Sequence, residues 1–281
     1  MRHPHLSAAP GRSGPGQDGL PPLIGVAHGS ANPAAAAAID SLAGLVTARA
    51  GRRGLPGLRV RAAYLGHALP SVADALEALG APVAGSEPAP AAVVLPLLLT
   101  GAYHSDTDLP AVLRAACARL PGLRLRYGAP LGPHPGLLRA LERRLAEAGV
   151  PATSASTART AVVLAAAGSS RPAARAGVAR LAAAWQAARG WRAVVPAYAS
   201  ASSPAPAEAV AGLRRAGAPR IAVASYLLAP GAFADQVREQ SLAAGAGAVS
   251  GVLGAAPEVA DVIIDRYRQA AELPARRRRS A

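Results

Sequence analysis

The chain has 281 residues, of which 51% are hydrophobic and 3% aromatic, and its formal net charge is +14. No apolar run is long enough to span a bilayer, and residues 1–22 lack the apolar core of a signal peptide, so we expect a cytoplasmic protein without a membrane partner. Every basic residue is arginine, which a compositional bias explains more simply than nucleic-acid binding does.

Residues 1–21 are rich in Gly, Pro and Ser without periodicity, and we expect them to be disordered. From Leu23, apolar runs alternate with helix-like stretches. The runs predict strands at 23–27, 60–65, 92–99 and 123–131, and the helices are expected to begin near Pro33, Pro70, Asp108 and Pro135. Apolar strands joined by helices predict a parallel sheet covered on both faces. The single cysteine, Cys117, falls at an apolar helix position and is expected to be a buried structural thiol.

The same order of segments then begins again. Residues 26–38 match 165–177, 62–76 match 196–210, 97–106 match 227–236, and 131–138 match 253–260. Four matches in one order predict an α/β protein of two duplicated, flavodoxin- or Rossmann-like domains, each a parallel sheet flanked by helices. We place them at 22–150 and 159–272, before a basic tail at 273–281.

Histidines follow the predicted strands of the first half but not those of the second. The alignment places His28, His67, His104 and His134 opposite Ala167, Ala201, Ala234 and Ala256. One such histidine alone would be an ordinary loop residue. Four at the carboxyl edge of a parallel sheet, where ligands bind, favour a site. Neutral imidazole binds borderline divalent metals and can accept a proton, and the spacing is not that of a closed zinc centre.

Four segments carry a family resemblance: VAHGSANP (26–33), AYLGHALPS (63–71), VVLPLLLTGAYHSDTDLP (93–110) and PLGPHPGLL (130–138). They resemble the sirohydrochlorin chelatases of the CbiX and SirB kind, which are class II tetrapyrrole chelatases. The similarity covers residues 22–272, and the second half resembles the degenerate C-terminal repeat of the long two-domain forms.

The resemblance implies insertion of Co²⁺ or Fe²⁺, as a substrate, into a polycarboxylated tetrapyrrole, with no permanent cofactor. It makes His28 and His104 the catalytic and metal-binding pair. The neighbouring His67 is a weaker third ligand, which would replace an acidic residue that this chain lacks at Gly66. Family members commonly carry an acidic residue at the position of Gly66. His134 is better explained as part of a helix N-terminus. The expected substrate-binding residues are Gly29, Ser30, Gly101, Ala102 and Tyr103.

Two other functions are alternatives to this one. A non-catalytic tetrapyrrole or metal carrier is suggested by the missing carboxylate at Gly66. A nucleic-acid-binding protein rests only on the net charge and the arginine run at 276–279, without stacking aromatics or a recognition motif. A dinucleotide-binding loop is excluded, because residues 25–33 lack its glycine spacing.

Overall fold

The computed structural model describes residues 20–79, 91–100, 109–120 and 123–272. The first half contains β1 (Leu23–Ala27), α1 (Pro33–Ala50), β2 (Val60–Tyr64), α2 (Val72–Glu77), β3 (Ala91–Pro96), α3 (Leu109–Arg119), β4 (Arg124–Tyr127) and α4 (Pro135–Glu147). After the short α5 (Ser154–Thr157), the second half contains β5 (Thr160–Ala166), α6 (Pro172–Arg189), β6 (Ala193–Tyr198), α7 (Pro206–Arg215), β7 (Arg220–Tyr226), α8 (Ala232–Ala243), β8 (Ala248–Val249) and α9 (Pro257–Glu272).

The strands form two parallel sheets with the same topology. Their orders are β2-β1-β3-β4 and β6-β5-β7-β8, so the first strand of each half lies inside its sheet. In the first sheet, Leu23 pairs with Val60 on one side and with Val93 on the other. This arrangement confirms the predicted duplicated α/β fold.

Some predicted boundaries differ from the observed ones. The run at 123–131 forms a strand only over Arg124–Tyr127, because β4 is an edge strand that pairs with β3 alone. Helix α2 begins at Val72, near Pro70 as predicted, and Ser71 caps it by exchanging hydrogen bonds with Asp74. Cys117 lies on α3 as predicted, but it is half-buried rather than buried, because α3 turns other positions toward the sheet.

Each sheet packs helices on both faces. Along β1, Leu23 and Ala27 face a central core that contains residues of both halves, whereas Ile24 and Val26 face an outer core with residues of α2 and α3. Alternation in β5 has the same effect. Val162 and Leu164 join the central core, whereas the alternate residues Ala161, Val163 and Ala165 pack with residues of α7. The period of two in a strand produces this division.

The last helix of each half packs against the other half. Helix α9 contacts α1, β3 and β4 of the first half, and α4 contacts β7 of the second. Between α1 and α9, Arg49 forms a bidentate pair with Asp261, with Nε and Nη2 3.0 and 2.7 Å from its two carboxylate oxygens. Glu142 of α4 accepts from Arg189 of α6 at 2.7 Å. Because α4 and α9 each pack against the opposite half, the two halves share one hydrophobic core.

None of the described helices is both long enough and apolar enough to cross a membrane.

Candidate functional site

The carboxyl edge of the first sheet brings two of the predicted histidines onto neighbouring segments. His28 directly follows β1, and His67 lies in the turn after β2. The backbone N–H of Gly66 donates to the carbonyl oxygen of His28 at 3.1 Å, which continues the parallel pairing beyond the strands. Both histidine side chains are exposed, so they can meet a ligand that approaches this edge.

Gly29 allows these two segments to come close together. Its φ is +92°, and a Cβ atom there would overlap the carbonyl oxygen of Gly66. The second half repeats this geometry, with Gly168 at φ +99° and its Cβ position overlapping the carbonyl oxygen of Ser200. Only glycine fits such a close approach at positive φ. The turn is therefore a property of the fold, which both halves share.

Ser30 and Asn32 order the chain between β1 and α1. The Ser30 hydroxyl accepts a hydrogen bond from the backbone N–H of Asn32 at 3.1 Å, and Asn32 Oδ1 accepts from the N–H of Ala34 at 2.9 Å as the helix cap. The Ser30 hydroxyl also lies 3.7 Å from the Cβ position of Gly231, in the loop that precedes α8. Ser30 therefore lies where the site-bearing edge meets the second half.

The segment of Gly66 and His67 has room for other side chains. Gly66 does not have a positive φ, and no atom of another described residue lies within 4 Å of its Cβ position. His67 has a φ of +59°, and its equivalent Ala201 has a φ of +53°. The absence of a carboxylate at Gly66 is thus a matter of sequence and is not imposed by backbone geometry.

Four predicted site residues, Gly101, Ala102, Tyr103 and His104, lie outside the described residues. Within the described ranges, no three His, Cys, Asp or Glu side chains are grouped so that they could hold a metal ion. Of the predicted histidine ligands, the described residues include His28 and His67, and the roles of His28, His67 and His104 all stay predictions.

His134 has a structural role, as its sequence context indicated. It is the N-cap of α4, and its Nδ1 accepts a hydrogen bond from the backbone N–H of Gly136 at 3.0 Å. Burial, followed by the nearby charge of Arg266, lowers the pKa of His134. A neutral imidazole whose Nδ1 is engaged as an acceptor suits a helix cap.

A cleft of about 230 Å³ lies between the two halves. The first half contributes Leu99, Thr100 and Pro133, and the second contributes Tyr226 and one face of α6. The Tyr226 hydroxyl donates to the carbonyl oxygen of Leu99 at 2.9 Å, and burial raises the pKa of this tyrosine.

Arg171 and Arg180 of the second half line this cleft, although no sequence motif singled them out. The alignment of the two halves contained the signal that could have identified these arginines. Their equivalents in the first half are Asn32 and Ser41, so both positions acquire a charge in the second half.

Comparison with known proteins agrees with this architecture. The CbiX family model matches residues 22–148 and again residues 161–270. The structure described as SirB from Bacillus subtilis with Fe³⁺ superposes with a TM-score of 0.72 at 24% identity, covering 89% of this chain and 95% of that one.

Two curated proteins have similar sequences. The sirohydrochlorin ferrochelatase of Bacillus subtilis is 29% identical over 182 residues, which are 63% of this chain and 68% of that protein. The sirohydrochlorin cobaltochelatase of Priestia megaterium is 27% identical over 151 residues, 52% of this chain but only 48% of that protein. Because the family model matches both halves and together the two matches span most of the sequence, this chain belongs to the CbiX family.

Proposed function

We propose that this protein is a sirohydrochlorin chelatase, which inserts a divalent metal, Co²⁺ or Fe²⁺, into a polycarboxylated tetrapyrrole. The observation that carries the proposal is the match of both halves to the CbiX family, in a chain whose first half presents His28 at the carboxyl edge of its sheet. The curated relatives named as a ferrochelatase and a cobaltochelatase support this reaction class.

The chemistry exchanges two pyrrole N–H protons for one metal dication. The ring nitrogens form bonds to the metal as its bonds to water or imidazole break, and the two protons pass to a base and then to solvent. Neutral imidazole suits both tasks, because it binds borderline divalent metals weakly enough to release them and accepts protons near neutral pH. In this proposal His28 and His104 deliver the metal and receive the protons, and His67 is a secondary ligand.

The protein binds and orients the ring beside these histidines. An exposed position at the carboxyl edge of β1 places the His28 side chain where a macrocycle that approaches this edge would meet it. The peripheral carboxylates of the substrate are expected to contact the chain around Gly29 and Ser30 and around Gly101, Ala102 and Tyr103. The metal is a substrate in this scheme, so no permanently bound cofactor is required.

The direct test is anaerobic incubation of the purified protein with sirohydrochlorin and either Co²⁺ or Fe²⁺, followed by absorption spectroscopy. Conversion of the free-base spectrum to the metallated one, at a rate proportional to protein concentration, is the expected result. A rate equal to that of the protein-free control with both metals would overturn the proposal.

A tetrapyrrole or metal carrier is the second candidate, and Gly66 is the observation that favours it. The position has space for a side chain but supplies no carboxylate to a metal. A carrier would bind the ring or the metal stoichiometrically without turnover, so the incubation with excess substrate separates the two functions. The expectations of a cytoplasmic location and of no nucleic-acid or membrane partner stay predictions.

A further inference from the structure

The cleft between the halves has positive charge on the wall formed by α6. Arg171 lies at the N-terminal end of this helix, and Arg180 lies further along it. At the rise of an α-helix, their Cα atoms are about 13 Å apart along the axis. The remaining α6 wall is formed by small and aliphatic side chains, including Ala174 and Val178.

The first half shows that the fold does not require these arginines. Helices α1 and α6 both have 18 residues and begin with proline at equivalent positions. Asn32 caps α1 through its side chain, whereas Arg171 at the equivalent position makes no side-chain cap hydrogen bond. Ser41 is the equivalent of Arg180. At the N-cap position the second half therefore has the guanidinium group of Arg171 in place of a side chain that stabilises the helix.

The residues of the first half that line the cleft follow strands at the same sheet edge as the histidine segment. The N–H of Leu97 donates to the carbonyl oxygen of Val26 at 2.7 Å, so the chain leaving β3 runs beside the end of β1. Thr100, which lines the cleft, follows a few residues later. The cleft and His28 therefore belong to neighbouring parts of one edge.

We propose that Arg171 and Arg180 bind two carboxylates on one side of the tetrapyrrole substrate, which makes the second half the anchor of the ring. This inference rests on the proposed function. A cavity of about 230 Å³ is smaller than the pockets that enclose drug-sized ligands, so it holds carboxylate arms and leaves the ring outside, over the histidine edge. Guanidinium groups match carboxylates bidentately, and the aliphatic wall contacts the methylene carbons of the arms.

The test is an equilibrium titration of metal-free sirohydrochlorin, followed by its absorption, with Arg171→Gln, Arg180→Gln and the double variant. Each single substitution is expected to raise Kd roughly tenfold, as loss of one charge-assisted contact would. Arg180→Lys keeps the charge but not the fork, so its Kd should lie between those of the wild type and Arg180→Gln. Calorimetric Co²⁺ affinity should not change in these variants, because the arginines do not bind metal.

Arg220→Gln is the matched control. Arg220 is exposed at the start of β7, on the opposite edge of the sheet, and its substitution removes the same charge. An equal rise of Kd in this control would show general charge attraction and overturn the proposal. An unchanged Kd in the double variant would overturn it while leaving metal insertion by the wild type intact. Binding without turnover by the wild type would instead contradict the proposed function. The Kd values of the arginine variants would still decide whether Arg171 and Arg180 bind the ring. A wild type that does not bind the ring would overturn both.

Discussion

After the first strand of each half the chain makes the same turn, yet it carries His28 in one half and Ala167 in the other. The glycine that follows has φ +92° in the first half and +99° in the second, so the backbone is conserved between the halves where the side chains differ. On the helices that follow, the second half carries the functional-type side chains instead, since α6 has arginine at the positions where α1 has Asn32 and Ser41. One duplicated backbone can thus support separate chemical roles, because loop and helix-surface side chains change without disturbing the core.

The largest expected effect tests whether the histidines of the first half carry out metal insertion. His28→Ala should lower the rate of metal insertion by roughly 100-fold or more, because a general base and a metal ligand are lost together. The side chain is exposed, so the unfolding midpoint should change little. Anaerobic absorption assays and urea unfolding measure the two quantities.

Ala167→His is the control for this substitution, since it places imidazole at the equivalent turn of the second half. It should leave the insertion rate near that of the wild type. If His28→Ala retained near-wild-type turnover, or if Ala167→His restored activity to it, the comparison between the halves would be wrong.

The next effect concerns the turn that both halves share. Gly29→Ala and Gly168→Ala should each reduce the free energy of unfolding by about 2 kcal/mol or more, because alanine is strained at positive φ and its Cβ would overlap a backbone carbonyl. Urea unfolding at neutral pH measures both losses. Only Gly29→Ala should also impair metal insertion under conditions where both variants are folded. Equal activity of the two folded variants would mean that the Gly29 turn does not position the site.

Smaller effects are expected at Gly66. Gly66→Glu should tighten binding of Co²⁺ by roughly tenfold, because it adds an anionic oxygen beside the histidine segment. The backbone accepts it, since Gly66 lacks a positive φ and its equivalent in the second half is Ser200. Tighter binding should slow release of metal to the ring. Calorimetric titration and the insertion assay together detect both changes.

His67→Ala is the matching variant, and Ala201 shows that alanine accepts this backbone conformation. It should weaken Co²⁺ binding only if His67 is a ligand. Should neither substitution alter metal affinity, the segment after β2 would not belong to the metal site.

The smallest effect is a pH dependence of stability that involves the His134 cap. The pKa of His134 is lowered from its usual value of 6.5 in the folded protein, so the unfolded chain binds more protons as pH falls below about 6.5. Stability that is present above this pH is therefore lost on acidification. His134→Asn keeps a capping side chain that does not titrate, and its loss of stability between pH 7.5 and pH 5.5 should be smaller.

Urea unfolding of wild type and His134→Asn at the two pH values tests this prediction. The other titrating groups are common to both proteins and cancel in the difference. Parallel pH profiles would show that His134 does not contribute to the dependence.

Local patterns in the sequence were sufficient to predict the fold and to place two candidate site residues on neighbouring segments. Apolar runs predicted the strands that begin at Leu23 and Val60, and proline marked the starts of α1 and α4. Because consecutive parallel strands end at one edge, the positions of His28 and His67 after their strands placed them on neighbouring segments. The context of His134, before a proline, indicated a helix N-terminus, and the structure confirms it.

Contacts between segments that are distant in the chain could not be predicted from local sequence patterns. The apolar faces of α4 and α9 show that these helices are buried, but they do not show that each packs on the sheet or helices of the opposite half. The pairs Arg49 with Asp261 and Glu142 with Arg189 join such segments. The same holds for Arg171 and Arg180, whose helix faces a cleft that exists only when both halves are assembled.

The sequence by itself therefore determined the duplicated parallel-sheet fold, the family, and the half that carries the histidines, because periodicity, strand ends and short motifs are local. The tertiary structure decided which helices cross between the halves, that Gly66 has room for a side chain, and that arginines of the second half face the first. Those properties depend on which surfaces come together when the shared core forms, and a helix pattern specifies a buried face without specifying its partner.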